Sequence, residues 1–521
     1  MKKYLLLISL SIISMKNKAQ NPNWAENIAP ILYNKCTTCH NPNGIAPFSL
    51  ISYQDAYDNR VNMQQDVSIR KMPPWPPAPA YRHLAHERIL TSAEIAAIND
   101  WVNNGAIQGN AALAPVPPVY SSQAVLTAPD LVSAIPAFNV NTTTDLYRCF
   151  VIPSGLNTQQ YITAIEAIPG NRSIVHHILI FEDTSGVPAQ LDAADPGPGY
   201  TDFGGTGSVT SNLIGVWAPG QGVYHLPAGM GIKLPAHTNI ILQIHYPGGT
   251  LSQTDSTKIL FKLSSSGLRD VSIEAPLNHF NLSNGPLYIP ANTTRTFYSK
   301  DTVQTTTSVL AVGPHMHLIG QSIIAYGVTP AGDTIPFINI PSWDFHWQGL
   351  YSFQHVLKVP AQTVLHSAAF YDNTTANLNN PNNPPHPVHL GEATTDEMML
   401  VFFSSLPYQN GDENILIDST TVTAVDDYSF SGFISSAQLY DPSPNPVSNN
   451  LSFDFYLPEK SSIVFNIYDL SGKLVASLPS EKKYVAGLNH EKFPVTTLAA
   501  GNYILEMKME DGSRSKKFLK E

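Results

Sequence analysis

The sequence predicts a multidomain fold: a small all-α domain, then two all-β sandwiches, then a small carboxy-terminal β-sandwich. Three observations carry this. At 521 residues the chain exceeds one ordinary core. Charged residues make up only 13%, about half the usual roughly 25%, which argues against coiled coils and long charged helices. The 42 prolines disfavour long helices and suit strands and turns. An apolar share of 43% argues against disorder, and a net charge of −11 argues against a nucleic-acid partner. With three cysteines no disulfide scaffold is expected.

The elements follow in order. Met1-Lys2-Lys3, the apolar run Tyr4 to Ser14 and a polar stretch ending at Gln20 have the layout of a cleaved signal peptide, residues 1–20. The run is too short to span a bilayer as a helix. Export is therefore expected.

Residues 22–108 form the expected all-α domain. Ile28, Ile31 and Leu32 fall at helical spacing. Thr91-Ser92-Ala93-Glu94 reads as a capping box opening a helix with Ile95, Ile98, Trp101 and Val102 on its buried stripe. Between them stands Cys36-Thr37-Thr38-Cys39-His40. Two thiols at this spacing followed by histidine suit covalent haem attachment: the thiols bond the porphyrin and His40 takes one axial position. A redox dithiol or half a zinc site are the other readings. Met72, before Pro73-Pro74, is the candidate for the second axial ligand; Met63, His83 and His86 compete. With the haem motif as its specific part, the segment resembles a small monohaem cytochrome c domain. Residues 109–134, with Pro115, Pro117 and Pro118, read as a stiff linker.

From about residue 135 to 430, short apolar runs are divided by Gly, Pro, Asn and Thr, as expected for two sandwiches, 135–288 and 289–430. Histidines mark three of the runs: His176-His177, His245 and His315-Met316-His317. Strand residues two apart share a face, so His315 and His317 can meet one ion. The adjacent pair calls for a bulge or strong twist. His225 and His237 are lesser candidates. Met398, after Asp396-Glu397, adds a soft sulfur that with two imidazoles favours Cu(I) over zinc; the ordinary alternative is a core methionine.

In order and spacing these residues resemble the copper type II, ascorbate-dependent monooxygenases, which include peptidylglycine α-hydroxylating and dopamine β-monooxygenases. The resemblance implies two coppers. His176, His177 and His245 would hold the electron-storing one. His315, His317 and Met398 would form the catalytic, oxygen-activating one, Met398 being preferred over Met399. Gln243 also fits the pattern. Gly313 stands where the peptide-specific enzyme has its carboxylate-binding arginine, and Leu400 and Phe402 replace polar contacts after the methionine. The resemblance therefore implies a copper-dependent monooxygenase that hydroxylates a C–H bond of a small-molecule or peptide-like substrate with O2 and a reductant. The attached haem is expected to supply or relay the electrons. A non-catalytic haem and copper electron-transfer protein and a surface binding module are the alternatives.

Residues 441–521 open on Asp441-Pro442-Ser443-Pro444-Asn445-Pro446, and Leu451, Phe453, Phe455 and Leu457 alternate as in a half-buried strand. With its Lys-rich end this segment resembles the carboxy-terminal sorting domain of type IX secretion substrates. It implies the type IX secretion machinery as a partner, and a secreted or cell-surface location. An ordinary immunoglobulin-like adhesion module is the other reading.

Overall fold

The structure, a computed structural model, describes residues 21–521 apart from 43, 45, 121–123, 204, 418–436, 440–441, 443–445, 458–460, 471, 478–481, 485–486 and 510–511. The expected leader lies outside the described residues, as do Asp441, Ser443, Pro444 and Asn445 at the opening of the expected tail. The chain divides into two compact units. One comprises Met1–Pro42, Pro47–Pro73 and Leu90–Val119; the other comprises Asn43–Ala46, Pro74–Ile89 and Tyr120–Glu521.

The expectation of a small all-α cytochrome c-like domain is overturned. The structure is 42% strand and 12% helix, and the five α-helices among the described residues are short. Ala29–Lys35, Tyr53–Asp58, Arg60–Ser68 and Ser92–Asn103 run for 7, 6, 9 and 12 residues. The physical reason is the proline-rich stretch after Met72. Pro74–Ile89 leaves the first unit and belongs to the second, so 22–108 is not one continuous helical body. What remains is a small cluster in which Trp24, Ile28, Leu32, Met63, Val67, Ile98 and Trp101 are buried together. The capping box at Thr91 is present, with the Glu94 N–H donating to Thr91 Oγ1 at 3.1 Å and the Thr91 N–H to Glu94 Oε2 at 2.7 Å.

The second unit contains two pairs of sheets and a tail. In the first pair, one sheet runs in the order Tyr200–Thr201, Leu146–Pro153, Asn239–Tyr246, His177–Asp183, Asn212–Trp217. The other is built on Leu131–Ala134, Lys258–Ser264, Gln160–Ile168 and Met230–Leu234. Leu131–Ala134 is thus sheet rather than linker. Ile240, Leu242, Ile244 and Tyr246 alternate into the shared core with Ile162, Ile165, Ile259 and Phe261. The period of two turns Gln243 and His245 to the opposite face.

In the second pair, Ser272–Asn278, Leu400–Pro407, Thr307–His315 and Tyr351–Val359 form one sheet. Thr293–Thr302, Val364–Asn373, Gly320–Val328 and Thr334–Ile340 form the other. Phe297, Ile323, Phe337, Phe353, Tyr371 and Val401 fill the space between them. Pro74–Ile89 packs on this half as a strap. Leu84 bridges to Phe353, the Ala85 N–H donates to Ser352 C=O at 2.8 Å, and Trp75 meets Tyr351 edge-on at 5.4 Å.

The tail forms two further sheets whose core holds Leu451, Phe453, Phe455, Ile463, Phe465, Ile467 and Leu505. Among the described residues no helix is long and apolar enough to cross a membrane.

Candidate metal centres

The three histidines of the first half meet through register and a chain reversal. On adjacent strands His245 lies directly opposite both His177 and Tyr147. His176 precedes the strand, which begins at His177, and its N–H donates to His245 C=O at 2.9 Å. Its side chain is therefore outside the pleat, and no bulge is needed at the adjacent pair. The three rings lie 4.8 to 5.2 Å apart. Their Nδ1 atoms converge: His176 is 3.0 Å from His177 and 3.1 Å from His245. The ligand atoms of these three residues lie within 4.8 Å of one another, the one such His, Cys, Asp or Glu cluster among the described residues.

Burial disfavours the charged form of His176 and His177. Burial lowers His176 to about 3, helped by His245 and His346, and drives His177 well below the ordinary range. His245 Nε2 faces Asp145 Oδ1 at 3.6 Å, and its ring stacks on Tyr147 at 4.3 Å. The His245 imidazole beside it holds Asp145 down at about 2. Asp145 Oδ2 also accepts from Thr394 Oγ1 at 3.3 Å, which ties this cluster to the second half. Gln243, on the same face, donates through Nε2 to Gly205 C=O at 2.6 Å and Asp202 C=O at 3.1 Å.

The second group lies at strand ends. His315 is the last residue of Thr307–His315, and His317 stands in the segment beyond it. They converge, 5.1 Å between rings, because the chain leaves the strand there, not because of strand alternation. His315 Nδ1 is 2.5 Å from Gln348 Oε1, and His317 Nδ1 is 3.1 Å from Asp396 C=O. Each ring therefore keeps Nε2 for another partner. Burial lowers His315 to about 4 and His317 to about 3.

Met398 and His317 hang from one carboxylate. Glu397 Oε2 accepts the N–H of His317 at 2.9 Å and that of Met398 at 3.2 Å, and Oε1 accepts Ile319 N–H at 2.9 Å. Tyr371 Oη–H donates to Met398 C=O at 2.7 Å. Met399 is fully buried in the apolar core of this half, whereas Met398 lies outside that cluster.

The loop between Thr334–Ile340 and Tyr351–Val359 escaped the sequence reading. Trp343 Nε1–H donates to His317 C=O at 3.2 Å, Gln348 holds His315, and His346 sits 5.4 Å from His176 with its Nδ1 3.0 Å from Asp344 Oδ1. The run of aromatic and histidine residues from Trp343 to Trp347 was the available signal.

The other singled-out residues fall elsewhere. His225 pairs with Ala164, and the His237 N–H donates to Leu156 C=O at 2.8 Å; neither joins the three-histidine cluster. In the first unit, Cys36 and Cys39 are not joined by a disulfide. His40 Nδ1 is 3.0 Å from Phe48 C=O, which leaves Nε2 as the donor toward a metal. Burial, reinforced by Cys39 and Glu94, pushes the Cys36 thiol up to about 12. Met63 is buried in the helical core, the Met72 N–H donates to Asp66 C=O at 3.3 Å, and His83 and His86 belong to the second unit.

Residues 132–252 match the copper type II ascorbate-dependent monooxygenase N-terminal domain, and residues 443–521 match the secretion system C-terminal sorting domain. The first match supports a copper-dependent monooxygenase, an oxidoreductase acting with O2 on a substrate. The second supports export by the secretion machinery to the medium or the cell surface. No curated protein matches the chain. Among solved structures, a β-glucuronidase of Parabacteroides merdae is 11% identical, with a TM-score of 0.13, over 44% of this chain and 28% of its own. A biofilm-associated protein BSP domain is 8% identical, with a TM-score of 0.14, over 74% of this chain and 82% of its own. Similarity this low carries no argument about fold or activity.

Proposed function

We propose that residues 135–430 form a two-copper monooxygenase that hydroxylates a C–H bond of an organic substrate. The observation that carries this reading is the convergence of the three imidazoles of His176, His177 and His245 through Nδ1, within the segment that matches the copper family. Three imidazole nitrogens converging on one point suit a cation. His176, His177 and His245 hold one copper. His315 and His317, each with Nε2 left over, and the soft sulfur of Met398 hold the other. The fit is chemical: the donor set is imidazole and thioether, with no carboxylate in the first group.

The bound metals supply one-electron storage and O2 activation, in the overall balance R–H + O2 + 2 e⁻ + 2 H⁺ → R–OH + H2O. The chain's own residues do the rest. Burial lowers His176, His315 and His317, which favours the neutral imidazole that binds a metal. Gln348 and Asp396 fix the ring orientation of His315 and His317, and Asp145 does so for His245. Glu397 sets Met398 against His317.

The two electrons come from an outside reductant. Cys36, Cys39 and His40, with Met72, are the residues that would hold a covalent haem, which would supply one-electron transfer to this chemistry. The His40–Phe48 contact supports that reading, because it fixes Nδ1 and frees Nε2. Residues 1–20 are the leader and 441–521 the sorting tail.

The test is a reductant-driven screen of candidate substrates under labelled O2, read by mass spectrometry. One labelled oxygen in a product, lost in Met398→Leu with haem content unchanged, is expected. Oxygen uptake with no hydroxylated product, or unchanged hydroxylation in Met398→Leu, overturns the assignment.

A further inference from the structure

The phenyl ring of Phe345 packs against rings of both histidine groups. Phe345 is 6% exposed. Its ring lies nearly parallel to that of His176, at 6.2 Å and 17°, and 6.4 Å from His245. The same ring stands 6.0 Å from His317 at 87°. One phenyl group therefore touches both candidate metal groups.

The position is fixed from both sides of the loop. Phe345 C=O accepts from Gln348 Nε2 at 2.8 Å, and Gln348 Oε1 is the partner of His315. Two residues earlier, Trp343 N–H donates to Gln321 C=O at 2.8 Å while its indole N–H holds His317 C=O. On the far side, His346 is turned by Asp344, which accepts its N–H at 2.9 Å. A large buried side chain held at both flanks behaves as a wall.

We propose that Phe345 is a specificity-determining residue. Its ring partitions the two pockets and limits what can enter between them to small, slender molecules. This rests on the proposed function and narrows its substrate class. A bulky ring or a peptide chain laid between the two centres collides with the phenyl group, so the C–H bond must be presented on a small molecule. Truncating the ring opens a phenyl-sized void beside both centres.

The probes are azide, a three-atom rod, and imidazole, a planar ring. They are titrated into the full-length protein loaded with Cu(II) and read by electron paramagnetic resonance, with copper content measured before and after. In Phe345→Ala, imidazole is expected to bind on the order of tenfold more tightly than in the unaltered protein. Azide affinity is expected to stay the same, and Phe345→Leu to fall between the two. Phe345→Leu also carries the test if the alanine variant fails to fold. Equal imidazole affinity in all variants that retain two coppers overturns the partition and leaves the proposed function standing. A parallel rise for both probes overturns it too, since that reports general loosening. If the unaltered chain binds no copper at these sites, the proposed function falls and the partition falls with it.

Discussion

Glu397 Oε2 accepts the backbone N–H of His317 at 2.9 Å, and the same oxygen accepts the N–H of Met398. A buried carboxylate thus carries the backbones of two candidate ligands that lie far apart in sequence. Burial raises Glu397 to about 8. The backbone N–H groups that it accepts pull the other way and only partly offset that burial.

Replacing Glu397 by Ala releases three backbone N–H groups at once. The expected result is a loss of about 10–100-fold in copper affinity at the His315, His317 and Met398 group. Affinity at the three-histidine group should be unchanged. Competition with a graded series of Cu(I) chelators measures both. An equal loss at both groups would show a global fold defect instead.

Asp145 makes a parallel case for the other group. It faces His245 Nε2 and accepts from Thr394, so Asp145→Asn removes the charge that orients the ring while keeping its shape. Copper affinity at His176, His177 and His245 is expected to drop at least about tenfold. Chelator competition that shows unaltered affinity would remove Asp145 from the site.

Acid should destabilise the metal-free protein in a defined window. Burial holds His315 near 4 and His176 and His317 near 3, whereas an unfolded imidazole titrates near 6.5. Below about 6.5 the unfolded chain binds protons that the folded chain refuses, so stability falls as pH falls toward 4. Above that value the contribution is complete. Urea midpoints are expected to decline from pH 7 to pH 5 without copper, and less with copper bound. A flat profile without copper contradicts the burial of these rings.

Arg269 and Asp412 join the two halves by a double contact, Nη1 to Oδ1 at 2.7 Å and Nη2 to Oδ2 at 2.8 Å. The guanidinium holds Asp412 at about 2, and Ser308 adds a bond at 2.6 Å. Arg269→Ala leaves that little-exposed carboxylate unpaired and should cost about 3 kcal/mol at neutral pH. The Asp412 contribution is present above about pH 4 and fades as pH falls toward 2. Chemical denaturation at pH 7 and at pH 2.5 is expected to show a large difference between the two proteins at the first and a small one at the second.

The sequence showed strands and donor atoms better than it showed how they are joined. The alternation of Ile240, Leu242, Ile244 and Tyr246 was readable because one face of that strand is buried. The capping box at Thr91 was readable because its four residues are consecutive. The all-α domain was misjudged because Pro74–Ile89, expected inside residues 22–108, packs on a β-sheet of the other unit. Residue types gave the histidine groups, yet the reasons for their convergence lie at strand ends, where His176 precedes one strand and His317 follows another. Asp145 and Gln348 support His245 and His315 from positions distant in sequence, and no local pattern announces such partners.

The central claim is that the chain builds two separate copper pockets from the six named ligands. Copper counted per chain in the reconstituted full-length protein tests it most directly, in the unaltered protein, in His245→Ala and in His315→Ala/His317→Ala. Two ions are expected in the first and one in each variant. A single ion in the unaltered protein, or two ions retained in either variant, would contradict it.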